Sequence, residues 1–141
     1  MMFPTKSEFD FFTHVAKIAE LLGSSSVAVP AGCLPEAKAS FVIDECPIDI
    51  ICAPEKSSLG IFRCAFGAPP STSFLQSYGS LLRFNFQHYS PGGCSTFGLD
   101  PATGHVMFHS ELLLEMLTPQ MTLDYMAGVA AMRRLWREGR L

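Results

Sequence analysis

Two histidines, two carboxylates and two glycines fall close together in FGLDPATGHVMFHSE, from Phe97 to Glu111. Residues of these types bind metal ions, shuttle protons or shape turns, and their spacing decides between the three. A calcium loop beginning at Asp100 would need further oxygen ligands at its third and fifth positions, where Ala102 and Gly104 stand instead. His105 and His109 share one face of a strand but lie about 13 Å apart along it at the usual rise, too far for one metal ion. What remains is a turn: Asp100 can accept backbone N–H groups ahead of it, Pro101 presets φ, and Gly104 supplies a left-handed position before the chain returns.

Other candidates for chemistry are thin. His14 and His88 have no H-E-x-x-H company, so all four histidines read as surface or half-buried side chains. GGCSTFG approaches the nucleophile elbow G-x-S-x-G, but with Gly93 first the closing position falls on Phe97. A cysteine nucleophile would pair Cys94 or Cys33 with His88, and no orienting group supports either pairing. No phosphate loop or dinucleotide fingerprint is present. No metal or cofactor is expected, and the weight moves from enzyme to binding protein.

The elements that would carry these residues follow from periodicity. SEFDFFTHVAKIAELLG predicts a first helix with Ser7 as N-cap, Asp10 completing a capping box and Gly23 as the stop. Its apolar stripe is Phe11, Val15, Ile18 and Leu22, widened by Phe12 and Ala19. After a Ser-, Pro-, Ala- and Gly-rich loop from Ser24 to Pro35, the runs ASFVIDE, IDIICA and LGIFRCAF alternate as strands, with CAPEKSSLG as a polar turn between the last two. Pro69-Pro70 breaks the pattern, Ser71 or Thr72 can cap, and Phe74, Leu75, Tyr78, Leu81, Leu82 and Phe86 follow helical spacing. That stripe is wider than one sheet requires, and Gly79 within it costs about 1 kcal/mol against alanine unless another backbone comes close. CSTFGL and HVMFHSELLL flank the DPATG turn as a hairpin. A last helix is capped by Thr118, has Pro119 at its first position, and carries Met121, Tyr125, Val129, Met132 and Trp136 on its stripe.

The expectation is one domain over residues 1–141, α+β, a two-layer sandwich of an antiparallel five-stranded sheet and three helices in the order α-β-β-β-α-β-β-α. At 48% hydrophobic and 16% charged the chain can bury a core of its own. Its twelve phenylalanines exceed what such a core obviously needs. The net charge of −3 is uneven, with Arg133, Arg134, Arg137 and Arg140 gathered at the end of the last helix, where cations complement the dipole. A nucleic-acid footprint would spread basic residues along a face, so no nucleic acid is expected. The five cysteines lack C-x-x-C and read as reduced thiols of a cytoplasmic protein. MMFPTKSEFDFF lacks the layout of a signal peptide and no run approaches 18 apolar residues, so neither export nor a membrane partner is expected.

Three segments together resemble the class I type III secretion chaperones, the Tir chaperone or CesT family. They are FDFFTHVAKIAELLG, SYGSLLRFNFQHYSPGG and TFGLDPATGHVMFHSEL, whose GLDPATG is similar to the family's G-L-D-P-x-T-G hairpin. The resemblance runs from about Phe9 to Trp136. It implies a homodimer in the bacterial cytoplasm that holds an extended N-terminal segment of a secreted effector, keeping it secretion-competent without ATP, in a virulence-associated system. Matched by position, it implies an effector groove at Phe11, Phe12, Val15 and Ile18 with Ile48 and Ile50 as walls. It implies a dimer interface at Leu75, Tyr78, Gly79 and Leu82.

Two other readings stand beside it. The first-helix stripe could simply pack on the sheet, which explains most of the same residues. A regulatory or adaptor domain for a folded partner would use a flat, more polar surface instead of grooves and a strand edge.

Overall fold

The computed structural model describes residues 9–23, 38–53, 56–69, 74–87, 89–90 and 93–140. The order is α1 (Phe11–Leu22), β1 (Lys38–Ile43), β2 (Cys46–Ala53), β3 (Lys56–Gly67), α2 (Phe74–Gln87), β4 (Tyr89–Ser90), β5 (Gly93–Leu99), β6 (Val106–Leu113), a 3-10 turn (Leu114–Met116) and α3 (Pro119–Arg137). This is the expected α+β sandwich. The two-residue β4, which periodicity cannot reveal, adds a short extension at one edge, giving the sheet order β1-β2-β3-β6-β5-β4. All pairs are antiparallel.

Several expected boundaries move. Asp10 is itself the N-cap of α1, its carboxylate accepting from Phe12 N–H at 3.1 Å and from Thr13 Oγ1 at 2.7 Å, which holds it below the usual carboxylate range, the Thr13 hydroxyl first. An aspartate directly before the first apolar position caps as well as a serine does. Ser7, the Ser24 to Pro35 loop and the caps Ser71 and Thr72 lie outside the described residues. Asp44 and Glu45 leave the first strand to form a two-residue turn, both at positive φ (49° and 65°), as a type I′ hairpin requires. Much of the expected polar turn before Leu59 is strand, because β3 starts at Lys56 opposite Ala53.

Alternate residues of five strands point to one face and form the core: Phe41, Ile48, Ile50, Phe62, Phe66, Phe97 and Phe108 are all buried there. The helices cover that face. Phe62 meets Tyr125 edge-on, Phe66 meets Trp136, and Phe84 of α2 meets Phe97. Gly60 leaves the space that Leu114 fills: a Cβ there would stand 2.7 Å from Leu114 Cδ1. The α3 stripe is rotated from the expected one. Met121 is half exposed, while Thr122, Met126 and Ala130 join Val129 and Trp136 inside, because α1 packs directly against α3 and small or polar side chains let it approach.

Side chains complete the sheet where its ladder stops. Pro47 has no N–H to extend the β2–β3 pairing past Asp49–Arg63, and the Ala65 carbonyl accepts instead from Arg133 Nε at 3.0 Å. On β5, Phe97 donates to Asn85 Oδ1 at 2.7 Å and its carbonyl accepts from Asn85 Nδ2 at 3.0 Å, so α2 seals that edge. Asn85→Ala leaves both backbone groups without their partner in a half-buried site, and we expect a loss of about 1–2 kcal/mol, read as a lower urea midpoint.

Candidate functional site

The GLDPATG turn takes the form its residues dictate. Asp100 Oδ1 accepts from Ala102 N–H at 2.9 Å, Gly104 N–H reaches the Asp100 carbonyl at 2.7 Å, and Gly104 sits at φ 72°. Thr103 Oγ1 accepts from His105 N–H at 3.2 Å. These bonds close the turn and occupy Asp100 Oδ1 and Thr103 Oγ1.

The first open surface is on α2. Leu81, Phe84 and Asn85 face the sheet, which leaves Gly79, Leu82 and Phe86 on the outer side at helical spacing. Leu82 is 68% and Phe86 85% exposed, and Leu99 at the end of β5 is 55% exposed beside them. Tyr78, Leu82, Phe97 and Leu99 line an apolar groove there. Nothing within the described chain comes within 4 Å of a Cβ built on Gly79, so its missing side chain serves no contact among the described residues. Leu75 belongs to the same helix.

The second surface involves α1 and β1. Of the six positions matched to an effector groove, Phe11, Val15, Ile18, Ile48 and Ile50 stand in the core, and Phe12 is 49% exposed against Phe11. Leu21 on α1 and Val42 on β1 are exposed too. Because Ile43 and Cys46 flank the two-residue turn, the hydrogen-bonded pairs are Ile43–Cys46, Phe41–Ile48 and Ala39–Ile50. The N–H and C=O groups of Ser40 and Val42 therefore point away from β2. Among the described residues no strand pairs with this edge.

His14, expected at the surface or half buried, is buried between α1 and α3 with Nε2 2.9 Å from Thr122 Oγ1. Its spacing from Phe11 and Ile18 places it on the apolar stripe, the one signal that would have found it. Burial first, and then Lys17, push its imidazole below the ordinary value of 6.5. The unfolded chain then binds the proton more readily, so this residue makes folding stability fall as pH drops below about 6.5. His109, lowered by burial and then by Arg63, acts in the same direction. Thermal denaturation across pH 5–7 checks this: the dependence weakens in His14→Gln and persists in part through His109.

Among the described residues none of the catalytic pairings weighed from the sequence can be placed. Cys33 and His88 lie outside the described residues. Among the described residues no cluster of three or more His, Cys, Asp or Glu could hold a metal, and no helix is long and apolar enough to cross a membrane. Cys46 and Cys64 do meet, with sulfurs 3.2 Å apart in the core. The Cys64 thiol, then Arg133 and Arg137, hold Cys46 down at about 7 against the effect of burial, while the same bond and burial push Cys64 up.

The sheet is backed by helices on one face, open at its β1 edge, and flanked by an apolar face of α2. Residues 35–137 match the Tir chaperone protein (CesT) family, and the chain belongs to it. Three solved structures share the fold. A chain of the HopA1–SchA chaperone–effector complex is 18% identical, with a TM-score of 0.69 and coverage of 91% of this chain and 93% of the other. The structure of the Yersinia pestis type III secretion chaperone SycH with a stable fragment of YscM2 gives 16% identity, a TM-score of 0.66, and coverage of 88% and 97%. A chain of the ExsC–ExsE complex gives 18%, 0.66, and coverage of 92% and 96%. No curated protein matched in sequence.

Proposed function

We propose that this chain is a type III secretion chaperone that acts as a homodimer in the bacterial cytoplasm, without catalysis, cofactor or ATP, and holds an extended N-terminal segment of a cognate effector. The observation that carries the reading is the pairing of an open β1 edge with exposed apolar side chains on a fold of the CesT family. An unfolded segment supplies backbone groups for a strand edge and apolar side chains for grooves, both of which a folded partner keeps inside. The matched solved structures include chaperones bound to an effector or to a protein fragment, which supports the same reading.

Phe12 is the groove position that contacts the effector directly in this reading. Phe11, Val15, Ile18, Ile48 and Ile50 form the packed wall that fixes its orientation. The outer face of α2, with Leu75, Tyr78, Gly79 and Leu82, forms the dimer interface, where Gly79 lets two helix backbones approach. Deleting the gene in its native bacterium tests the proposal. Loss of one or a few secreted proteins from the medium, restored by the wild-type gene, supports it; an unchanged set of secreted proteins removes it.

A further inference from the structure

The sheet face turned away from the helices carries a polar row at one register, running Ser40, Asp49, Arg63, His109 and Thr96 across five strands. Asp49 is committed at one end, accepting from Ser40 Oγ at 2.7 Å with Lys38 Nζ at 3.8 Å. Arg63 and His109 are direct cross-strand partners, with Cβ atoms roughly 5 Å apart in such a pair. Among the described residues neither side chain makes a hydrogen bond or an ion pair. Together they bound a depression of about 300 Å³, closed by Met107, Leu99 and the Asp100–Pro101 end of the turn. Its floor exists because Gly98, paired with Met107, has no side chain.

Two unengaged donors beside an apolar hollow call for a particular ligand. A guanidinium takes a carboxylate in a two-pronged contact, and a neutral imidazole adds one N–H. Burial first, and then Arg63, hold His109 below the ordinary imidazole value, which leaves it that donor at neutral pH. Met107 and His109 are two apart on β6, the spacing at which an extended peptide presents successive side chains on one face. We propose that this depression binds an extended peptide segment carrying a carboxylate side chain two positions from an aliphatic one. The carboxylate lies on Arg63 and His109, and the aliphatic group enters the hollow over Gly98 and Met107. Two carboxylates stand near: Asp100 lines the depression with Oδ1 turned to Ala102 N–H, and Asp49, opposite Arg63 on β2, is held by Ser40 and Lys38, which leaves Arg63 as the cation that meets the ligand's carboxylate. The inference does not rest on the secretion reading, because a peptide alone tests it.

The probe is a blocked hexapeptide, Ser-Glu-Thr-Leu-Ser-Gly, titrated into the 15N-labelled full-length protein and followed by amide shifts. We expect saturable changes at Gly98, Leu99, Met107 and His109, and binding at least tenfold weaker when the peptide's glutamate is replaced by glutamine or its leucine by serine. Arg63→Gln, at an exposed position, should leave the rest of the spectrum unchanged and reproduce that tenfold loss. Equal binding of the glutamine peptide, changes confined to the β1 edge, or no saturable change at all would overturn the proposal.

Discussion

Leu82→Asp should turn the proposed dimer into a folded monomer. Leu82 lies on the outer stripe of α2 with Phe86, flanked by Leu99, and none of these exposed side chains holds the protomer's own core. In a two-fold interface the substitution counts twice and sets two carboxylates against apolar surface and against each other. An unpaired charge in such a place costs several kcal/mol, so dissociation should strengthen by roughly a thousandfold or more. Analytical ultracentrifugation reads the mass directly, and the circular dichroism spectrum should keep its shape. A variant that remains dimeric would move the interface off α2.

Phe66→Ala is the largest expected loss of stability. Its ring lies 5.0 Å from Phe97, 5.9 Å from Phe108 and 6.0 Å from Trp136, joining β3 to β5, β6 and α3. Removing a buried phenylalanine costs about 3–5 kcal/mol through lost transfer energy and the cavity left behind, and three ring contacts go with it. Against a total of about 5–15 kcal/mol, that brings a domain of this size near its limit. The midpoint in urea should fall sharply with an unchanged slope, compared at one fixed protein concentration because the proposed dimerisation would contribute. A loss under about 1 kcal/mol would mean that these four rings do not hold the helical layer to the sheet.

The residues that made the fold legible are those whose chemistry acts over a few positions. Thr118 and Pro119 begin α3 because a hydroxyl and a fixed φ suit a helix start; Thr118 Oγ1 accepts from Met121 N–H at 3.1 Å. DPATG forms its turn through bonds within six residues. What stayed hidden depends on elements distant in sequence. Thr122 and Ala130 face inward only because α1 lies on α3, and His14 is buried only because Thr122 is there to meet it. Asn85 reads as one more polar helix residue until β5 presents a free edge. On the proposed binding surfaces, the sequence located an excess of aromatic and aliphatic side chains. It did not separate Phe12 from Phe11, which share a turn of helix and differ in the face they present.

The same distinction bears on function. A wide stripe on α2 was readable as surplus, and the structure leaves Leu82 and Phe86 as that surplus. The open edge of β1 followed only from register: a two-residue turn fixes which residues pair, and that leaves Ser40 and Val42 with their backbone groups outward.

The most direct test of the central claim is limited proteolysis of the complex recovered with the tagged protein from its native bacterium, with the protected fragments sized and sequenced by mass spectrometry. The account predicts one dominant secreted partner, protected only over an N-terminal segment too extended to resist protease alone, with two copies of this chain for each segment. A partner protected as a compact folded domain, and equally resistant when free, would contradict it.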